Sequence, residues 1–304
     1  MYRQRIKLGR GKVKAIGFVI KHQHPEAARL ALEIGKYLLN EGLKVVFAKE
    51  SAKAVSSLKR MGRRVLVIDK EKMSEVTDLI IVLGGDGTYL SIARLVKDKV
   101  PVMGVNMGRL GFLTEIKKDE IYDVLHRILL KGEMYINERT LLDVTLKRKG
   151  KVIFSGPAVN DVVISKGAIA RIIGLQVAVN GYWVNHVRAD GLIISTPTGS
   201  TAYSLAAGGP VMEPSLSALV VTPICPHSLS NRPLVLDDRA EIQVRLDQRP
   251  GHVFMTVDGQ NVIDMHEEDI VVIKILQKQK LKLVSSPTRD YFSLLREKLA
   301  FGGK

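Results

Sequence analysis

Cysteine is almost missing from this chain: Cys225 is the one thiol in 304 residues, so no disulfide can form within it. A lone thiol fits a reducing compartment. Long apolar runs are also lacking, and none approaches the roughly 18–20 residues that a membrane-spanning helix needs. The basic opening, Met1-Tyr2-Arg3-Gln4-Arg5-Ile6-Lys7, leads into no apolar signal core. Together these absences set a cytoplasmic expectation, with no membrane partner. Aromatic residues make up only 5%, and no stripe of interleaved basic and aromatic side chains marks a nucleic-acid module. The fingerprint Gly-x-Gly-x-x-Gly does not occur where a dinucleotide fold requires it, and there is no Walker phosphate loop. No internal repeat or low-complexity linker interrupts the chain.

What is present describes a globular protein. Apolar residues reach 46%, and 304 residues are enough for two domains that each bury a core. The net charge of +15 attracts anions, polyphosphate-bearing small molecules among them. Basic residues are scattered, as in Lys147-Arg148-Lys149, which looks like an exposed turn.

Through residue 137 branched apolar runs alternate with helical periods. Strands are predicted at Val13 to Ile20, Leu43 to Ala48, Ile80 to Leu83 and Val100 to Asn106. Arg64 to Ile68 is either a further strand or part of a connecting region. Helical periods run from about Glu26 to Asn40, from Tyr89 to Leu95 and from Asp119 to Lys131, with Gly42 and Gly132 as stops. Such alternation predicts a mostly parallel sheet with ligands gathered at the carboxyl ends of its strands. His22-Gln23-His24 supplies two possible metal ligands but no third, so it reads as a loop.

Beyond Asn137 the period changes to two. Leu141 to Leu146, Ile242 to Leu246, Val253 to Val257 and Ile270 to Ile275 are short strand candidates. Asn180-Gly181 between alternating flanks is a strong hairpin signal, and Lys149-Gly150-Lys151 resembles another connection. A helical period returns at Tyr291 to Leu299; so short a helix is marginal alone and is expected to pack back on the first domain. The predicted division is an α/β domain over 1–137, a β-rich domain over 138–278, and a returning segment over 279–304.

Two stretches carry chemistry. Ile80-Ile81-Val82-Leu83-Gly84-Gly85-Asp86-Gly87-Thr88 joins a buried strand to a helix through a turn in which three glycines surround one carboxylate. Backbone N–H groups in such a turn can approach a phosphate, helped by the helix N-terminus. A carboxylate there suits a general base or a magnesium-linked group for phosphoryl transfer; the plainer role is a helix N-cap. A second glycine turn, Met107 to Phe112, follows the next strand. The other stretch, Asp190 to Pro210, is crowded with hydroxyls: Ser195, Thr196, Thr198, Ser200, Thr201, Tyr203 and Ser204. Ser200 or Thr201 is expected to cap a short helix ending at Gly208-Gly209.

Gly84-Gly85-Asp86-Gly87-Thr88, Asn160-Asp161-Val162-Val163, the whole Asp190–Pro210 block and Asp258-Gly259-Gln260 resemble the motifs of bacterial NAD kinases, in that family's order. The likeness extends to Arg289-Asp290-Tyr291-Phe292 and covers nearly all the chain. It implies ATP-dependent transfer of a phosphoryl group to the 2′-hydroxyl of the adenosine ribose of NAD, with magnesium accompanying ATP. Asp86 matches the catalytic aspartate, and Gly84, Gly85 and Thr88 match the phosphate cradle. Gly87, Asn160, Asp161, Arg171, Arg188, Asp190, Thr201, Ala202, Tyr203, Ser204, Leu205, Ala206 and Gln260 match positions that touch NAD. The family often carries Asn-Glu where this chain has Asn160-Asp161, a carboxylate shorter by one methylene. Arg188, two residues before Asp190, looks like members that prefer NAD over NADH. The resemblance also implies a homodimer or homotetramer. The alternatives are a lipid or sphingoid kinase sharing the glycine-aspartate turn, and a non-catalytic binder of dinucleotide or nucleic acid.

Overall fold

A computed structural model describes residues 4–8, 11–53, 62–167, 171–248 and 251–300. Met1, Tyr2 and Arg3 of the basic opening lie outside these. The chain forms two compact units, one of residues 1–138 with 281–304 and one of residues 139–280.

The first unit is built on parallel strands in the spatial order Val65–Ile68, Lys44–Ala48, Ala15–Ile20, Leu79–Gly84, Val102–Asn106. Arg64 to Ile68 thus contains a true strand. Ala15–Ile20 and Leu79–Gly84 are buried at every position, which is why their sequences run apolar without alternation. Helices Pro25–Asn40 and Ile121–Leu129 pack Ala31, Ile34, Leu38, Val124, Leu125 and Ile128 into a core with Ile16, Phe18, Ile81 and Leu83. His24 caps the first of these helices. Its Nδ1 accepts from the Ala27 N–H at 3.2 Å, and Pro25 begins the helix.

The order in which strands are added across the sheet reverses between Ala15–Ile20 and Leu79–Gly84, which stay parallel. From the first strand the chain moves outward to Lys44–Ala48 and Val65–Ile68, then returns to the other side. The carboxyl ends at this reversal are where open α/β sheets bind ligands. Register brings Ile20 opposite Leu83 and Gly84 opposite Asn106, so both glycine turns emerge at one edge.

The closing segment completes this unit. Leu283 and Val284 pair in parallel with Val102 and Met103. Helix Tyr291–Leu299 begins with a capping box in which Asp290 and Ser293 bond reciprocally. Ser286 N–H donates to Glu115 at 2.8 Å, and Arg289 donates to the Glu115 carbonyl and, at 3.2 Å, to Glu120. The Tyr291 ring lies 6.3 Å from that of Phe112, and Lys298 sits over the Phe112 ring at 5.6 Å.

The second unit is antiparallel. Six strands run in the order Leu234–Asp237, Ala218–Ile224, Gly191–Ser195, Asp161–Lys166, Val253–Val257, Asn261–Met265. Tyr182–Ala189, Ile173–Val179 and Ile242–Gln248 pair in turn, and Ile242–Gln248 joins the long strand Asp269–Val284. Leu175, Val187, Val244 and Ile273 share one core with Val162, Ile164, Leu192 and Met255 from the six-stranded sheet. Asn180 and Gly181 both take positive φ, 53° and 81°, as a two-residue type I′ hairpin requires. Among the described residues no helix is long and apolar enough to cross a membrane.

Arg289 is largely buried against Glu120 and the Glu115 carbonyl. Hydrogen bonds to charged groups contribute about 1.5–3 kcal/mol. Arg289→Ala is therefore expected to lower unfolding free energy by about 1–3 kcal/mol in urea titration; an unchanged midpoint would show that the clasp adds nothing.

Candidate active site

In the first unit the strand Leu79–Gly84 delivers Gly85 as the N-cap and Asp86 as the first residue of helix Asp86–Val96. Asp86 does not cap its own helix. Its carboxylate instead turns toward the second glycine loop and accepts from Phe112 N–H at 2.9 Å, Leu113 N–H at 3.1 Å, Thr114 N–H at 3.0 Å and the Thr114 hydroxyl at 2.9 Å. Close approach explains one glycine of that loop. A Cβ at Gly111 would stand 2.0 Å from Asp86 Oδ1 and 2.4 Å from Thr114 Oγ1. Gly85 and Gly87 differ: a Cβ at either would meet nothing within 4 Å, and neither has positive φ. Packing within the unit does not demand glycine there, whereas a ligand lying on the backbone would.

Beside the turn, at the sheet's reversal point, is a cavity of about 680 Å³ lined by Lys21, Lys53, Lys70, Gly87, Thr88 and Ser91 among others. This is within the ~300–1,000 Å³ range of small-molecule sites. Lys70 Nζ lies 3.3 Å from Ser91 Oγ.

The second unit gathers the other candidates. Asp161 opens the strand Asp161–Lys166, directly paired with Ser195 of Gly191–Ser195. The Asp258 carboxylate accepts from the N–H groups of Val159, Asn160 and Asp161 at 2.8, 2.7 and 3.2 Å. Asp258-Gly259 is a hairpin turn with φ of 51° and 61°, and its side chain also fixes the backbone of the Asn-Asp pair. Asn160 Oδ1 is buried with no hydrogen-bond partner, as is Thr198 Oγ1. Buried polar atoms are normally satisfied, so both are acceptors that this unit leaves open.

The hydroxyl-rich segment is more self-contained than its sequence suggests. Thr196 donates to the Val159 carbonyl at 2.7 Å, Ser200 donates to Pro197 at 2.7 Å and accepts from Met212, and Ser204 pairs with Thr222 at 2.9 Å. Neither Ser200 nor Thr201 caps the short helix Tyr203–Ala206; its N-cap is Ala202, without a side-chain bond. Ser200 is instead tied to the loop on both sides, and Thr201 donates to the Thr198 carbonyl at 3.3 Å. Gly199 is required by contact, since a Cβ would sit 2.2 Å from the Asn160 carbonyl oxygen. Tyr203, Ala206, Arg171, Arg188 and Gln260 are exposed, Ala202 and Leu205 half-buried, and Asp190 pairs with Lys166 at 2.9 Å.

Sequence comparison matches these two units separately. The profile of the ATP-NAD kinase N-terminal domain covers residues 16–134, and that of the ATP-NAD kinase C-terminal domain covers 159–286. The NAD kinase of Syntrophotalea carbinolica is 43% identical over 291 residues, spanning 95% of this chain and 99% of that one. The chain belongs to the ATP-NAD kinase family. The NAD kinase of Geotalea daltonii is 45% identical with the same coverage. Among solved structures, yeast NADH kinase complexed with NADH is 26% identical with a TM-score of 0.86, covering 96% of this chain and 89% of that one. An Archaeoglobus fulgidus NAD kinase in complex with ATP shares the fold at a TM-score of 0.70 and 23% identity, over 93% of this chain and 99% of that one. This kinase family therefore accounts for both the α/β unit with its glycine-aspartate turn and the β-rich unit.

Thr114 and the Leu113 amide escape the sequence motifs, whereas Phe112, Thr198 and Asp258 stand inside them with no contact of their own foreseen. The glycines of 107–112 mark their neighbourhood, but not that its amides turn toward Asp86.

Asp161 is 6% exposed, and burial, with the nearby Asp258 charge, pushes its carboxyl up to about 7. The unfolded carboxyl releases its proton near 4, so between about pH 4 and 7 the native state binds more protons than the unfolded one. Stability contributed by Asp161 therefore falls as pH rises through that window and levels off above it. Asp161→Asn is expected to raise stability by on the order of 4 kcal/mol at pH 8 and to make little difference at pH 4. Thermal melts at both pH values check this, and equal shifts at both would refute it.

Proposed function

We propose that Asp86 is the general base in transfer of the γ-phosphoryl group of ATP to the 2′-hydroxyl of the adenosine ribose of NAD. The overall reaction, ATP-dependent phosphorylation of NAD, follows from family membership. One observation carries the assignment of Asp86: a carboxylate clamped by four donors beside glycines that the unit's own packing does not require.

Asp86 accepts the proton of the 2′-hydroxyl as that oxygen forms a bond to the γ-phosphorus. The bond from that phosphorus to the bridging oxygen breaks, ADP leaves, and Asp86 returns its proton to solvent. Backbone N–H groups around Gly84, Gly85, Gly87 and Thr88 stabilise the phosphate charge. The lysine-lined cavity beside Thr88 has the charge and size for the polyphosphate of ATP. Magnesium would come bound to the donor and would neutralise charge on its phosphates. Among the described residues no group of three or more His, Cys, Asp or Glu side chains could hold a metal, and magnesium bound with ATP relies mainly on phosphate oxygens plus one or two carboxylates.

For NAD, the orphaned Asn160 Oδ1 is a ready acceptor for a ribose hydroxyl. Asp161 is a second candidate ligand, and Thr201, Ala202, Tyr203, Leu205 and Ala206 offer surface for the rest of the dinucleotide. Ser204 contributes through backbone only, its hydroxyl being held by Thr222. Arg171, Arg188 and Gln260 are exposed and free to reach a ligand, while Asp190 would have to share Lys166. The resemblance supports a homodimer or homotetramer, and the lone thiol supports a cytoplasmic setting.

Asp86→Asn is expected to cut turnover at least ~100-fold while NAD affinity stays nearly unchanged, since general-base catalysis contributes ~10²–10⁴-fold. Steady-state kinetics with calorimetry tests this, and ordinary turnover would remove Asp86 from the role. Asn160→Ala should weaken NAD binding about tenfold, one charge-free hydrogen bond and its desolvation being worth roughly 1–2 kcal/mol. Unchanged affinity in calorimetric titration would take Asn160 out of the site.

A further inference from the structure

The four donors on Asp86 are divided unequally. Oδ1 takes Leu113 N–H, Thr114 N–H and the Thr114 hydroxyl, while Oδ2 takes only Phe112 N–H. An ionised carboxylate oxygen has two lone-pair positions. Oδ1 is therefore saturated and Oδ2 keeps one lone pair open.

The hydroxyl of Thr114 is itself aimed. Asn106 Nδ2 lies 3.2 Å from Thr114 Oγ1, and an amide nitrogen can only donate. The Thr114 oxygen accepts that bond, so its own proton is directed to Asp86 Oδ1. The orientation of the Asn106 amide is fixed from both sides: Oδ1 accepts from Gly108 N–H at 2.8 Å, and Nδ2 also donates to the Arg109 carbonyl. Thr114 is fully buried and Asn106 nearly so, which keeps water from replacing either.

We infer that Asn106 and Thr114 are positioning residues for the phosphoryl transfer, a two-step relay that locks Asp86 Oδ1 and reserves Oδ2 as the atom that takes the substrate's proton. The inference rests on the assignment of Asp86 as general base. The Asp86 backbone is set by its helix, but the side chain retains two rotatable bonds, and among the described residues the hydrogen bonds that restrain it come from the 112–114 loop. The three amides hold the loop side of the carboxylate. The hydroxyl adds the one donor that a side-chain substitution can remove without altering the backbone.

The test compares Thr114→Val, which keeps the branched shape and loses the hydroxyl, with Thr114→Ser, which restores it. Thr114→Val is expected to lower kcat about 10- to 100-fold with the KM for NAD and for ATP within about twofold, as misorientation of a catalytic group does. Thr114→Ser should recover to within about threefold of the parent. Asn106→Ala should lower kcat in the same way by leaving the hydroxyl unaimed. In a double-mutant cycle, Thr114→Val added to Asp86→Asn should cost no further activity, because the hydroxyl then has no carboxylate to orient. Parent-like kcat in Thr114→Val, or serine no better than valine, overturns the inference; if valine prevents folding, Thr114→Ala takes its place with the same outcomes. Should Asp86→Asn itself remain active, the base assignment falls first; a dead Asp86→Asn with an unaffected Thr114→Val rejects the relay alone.

Discussion

A carboxylate on the first turn of a helix is ordinarily free to swing through solvent. Asp86 is not, because the loop after the neighbouring parallel strand sends three backbone N–H groups and one hydroxyl to it. That arrangement depends on register. With Gly84 opposite Asn106, both glycine turns leave the sheet at the same level, and the loop from 107 to 114 has only a short distance to fold back. It depends also on an absence of atoms, since any side chain at Gly111 would occupy the space of the Asp86 carboxylate. Sheet order, strand register and one missing Cβ thus converge on the placement of a single oxygen pair.

The architecture is legible in the sequence because its signals are local and strong. Uninterrupted branched runs such as Ile80 to Leu83 mean burial on both faces, hence a parallel sheet. Strict alternation and Asn180-Gly181 mean antiparallel hairpins, and the type I′ dihedrals follow from that dipeptide. Asp86 stands out for the same reason, as a lone charge among glycines at a strand end. Its partners do not. The bonds from Phe112, Leu113 and Thr114 span 26 to 28 residues of sequence, and three of the four come from main-chain atoms that carry no residue-type signal.

The segment from Ser195 to Ser204 teaches the opposite lesson. Its density of hydroxyls looks, in the sequence, like a surface prepared for a ligand. In the fold, Ser195, Thr196, Ser200 and Ser204 bond to carbonyls or to Thr222 and hold a tight, buried loop in shape. A buried loop cannot leave main-chain oxygens unsatisfied, and short hydroxyl side chains are well suited to reach them. What the loop leaves unclaimed is smaller: Asn160 Oδ1 and Thr198 Oγ1, whose lack of a partner emerges only when every neighbour has been placed. Composition reports polarity there, but not which atoms the loop has already claimed.

The division of the chain has a consequence for how the protein is made. Residues 139–280 form a contiguous unit, whereas the unit bearing Asp86 is assembled from the segments on either side of it. Its sheet receives Leu283 and Val284, and its second glycine loop meets Tyr291 and Lys298. On the ribosome, the β-rich unit has its whole sequence in hand while the α/β unit still waits for its final strand and helix. The unit that carries Asp86 is thus completed only after the whole of the β-rich unit has been made.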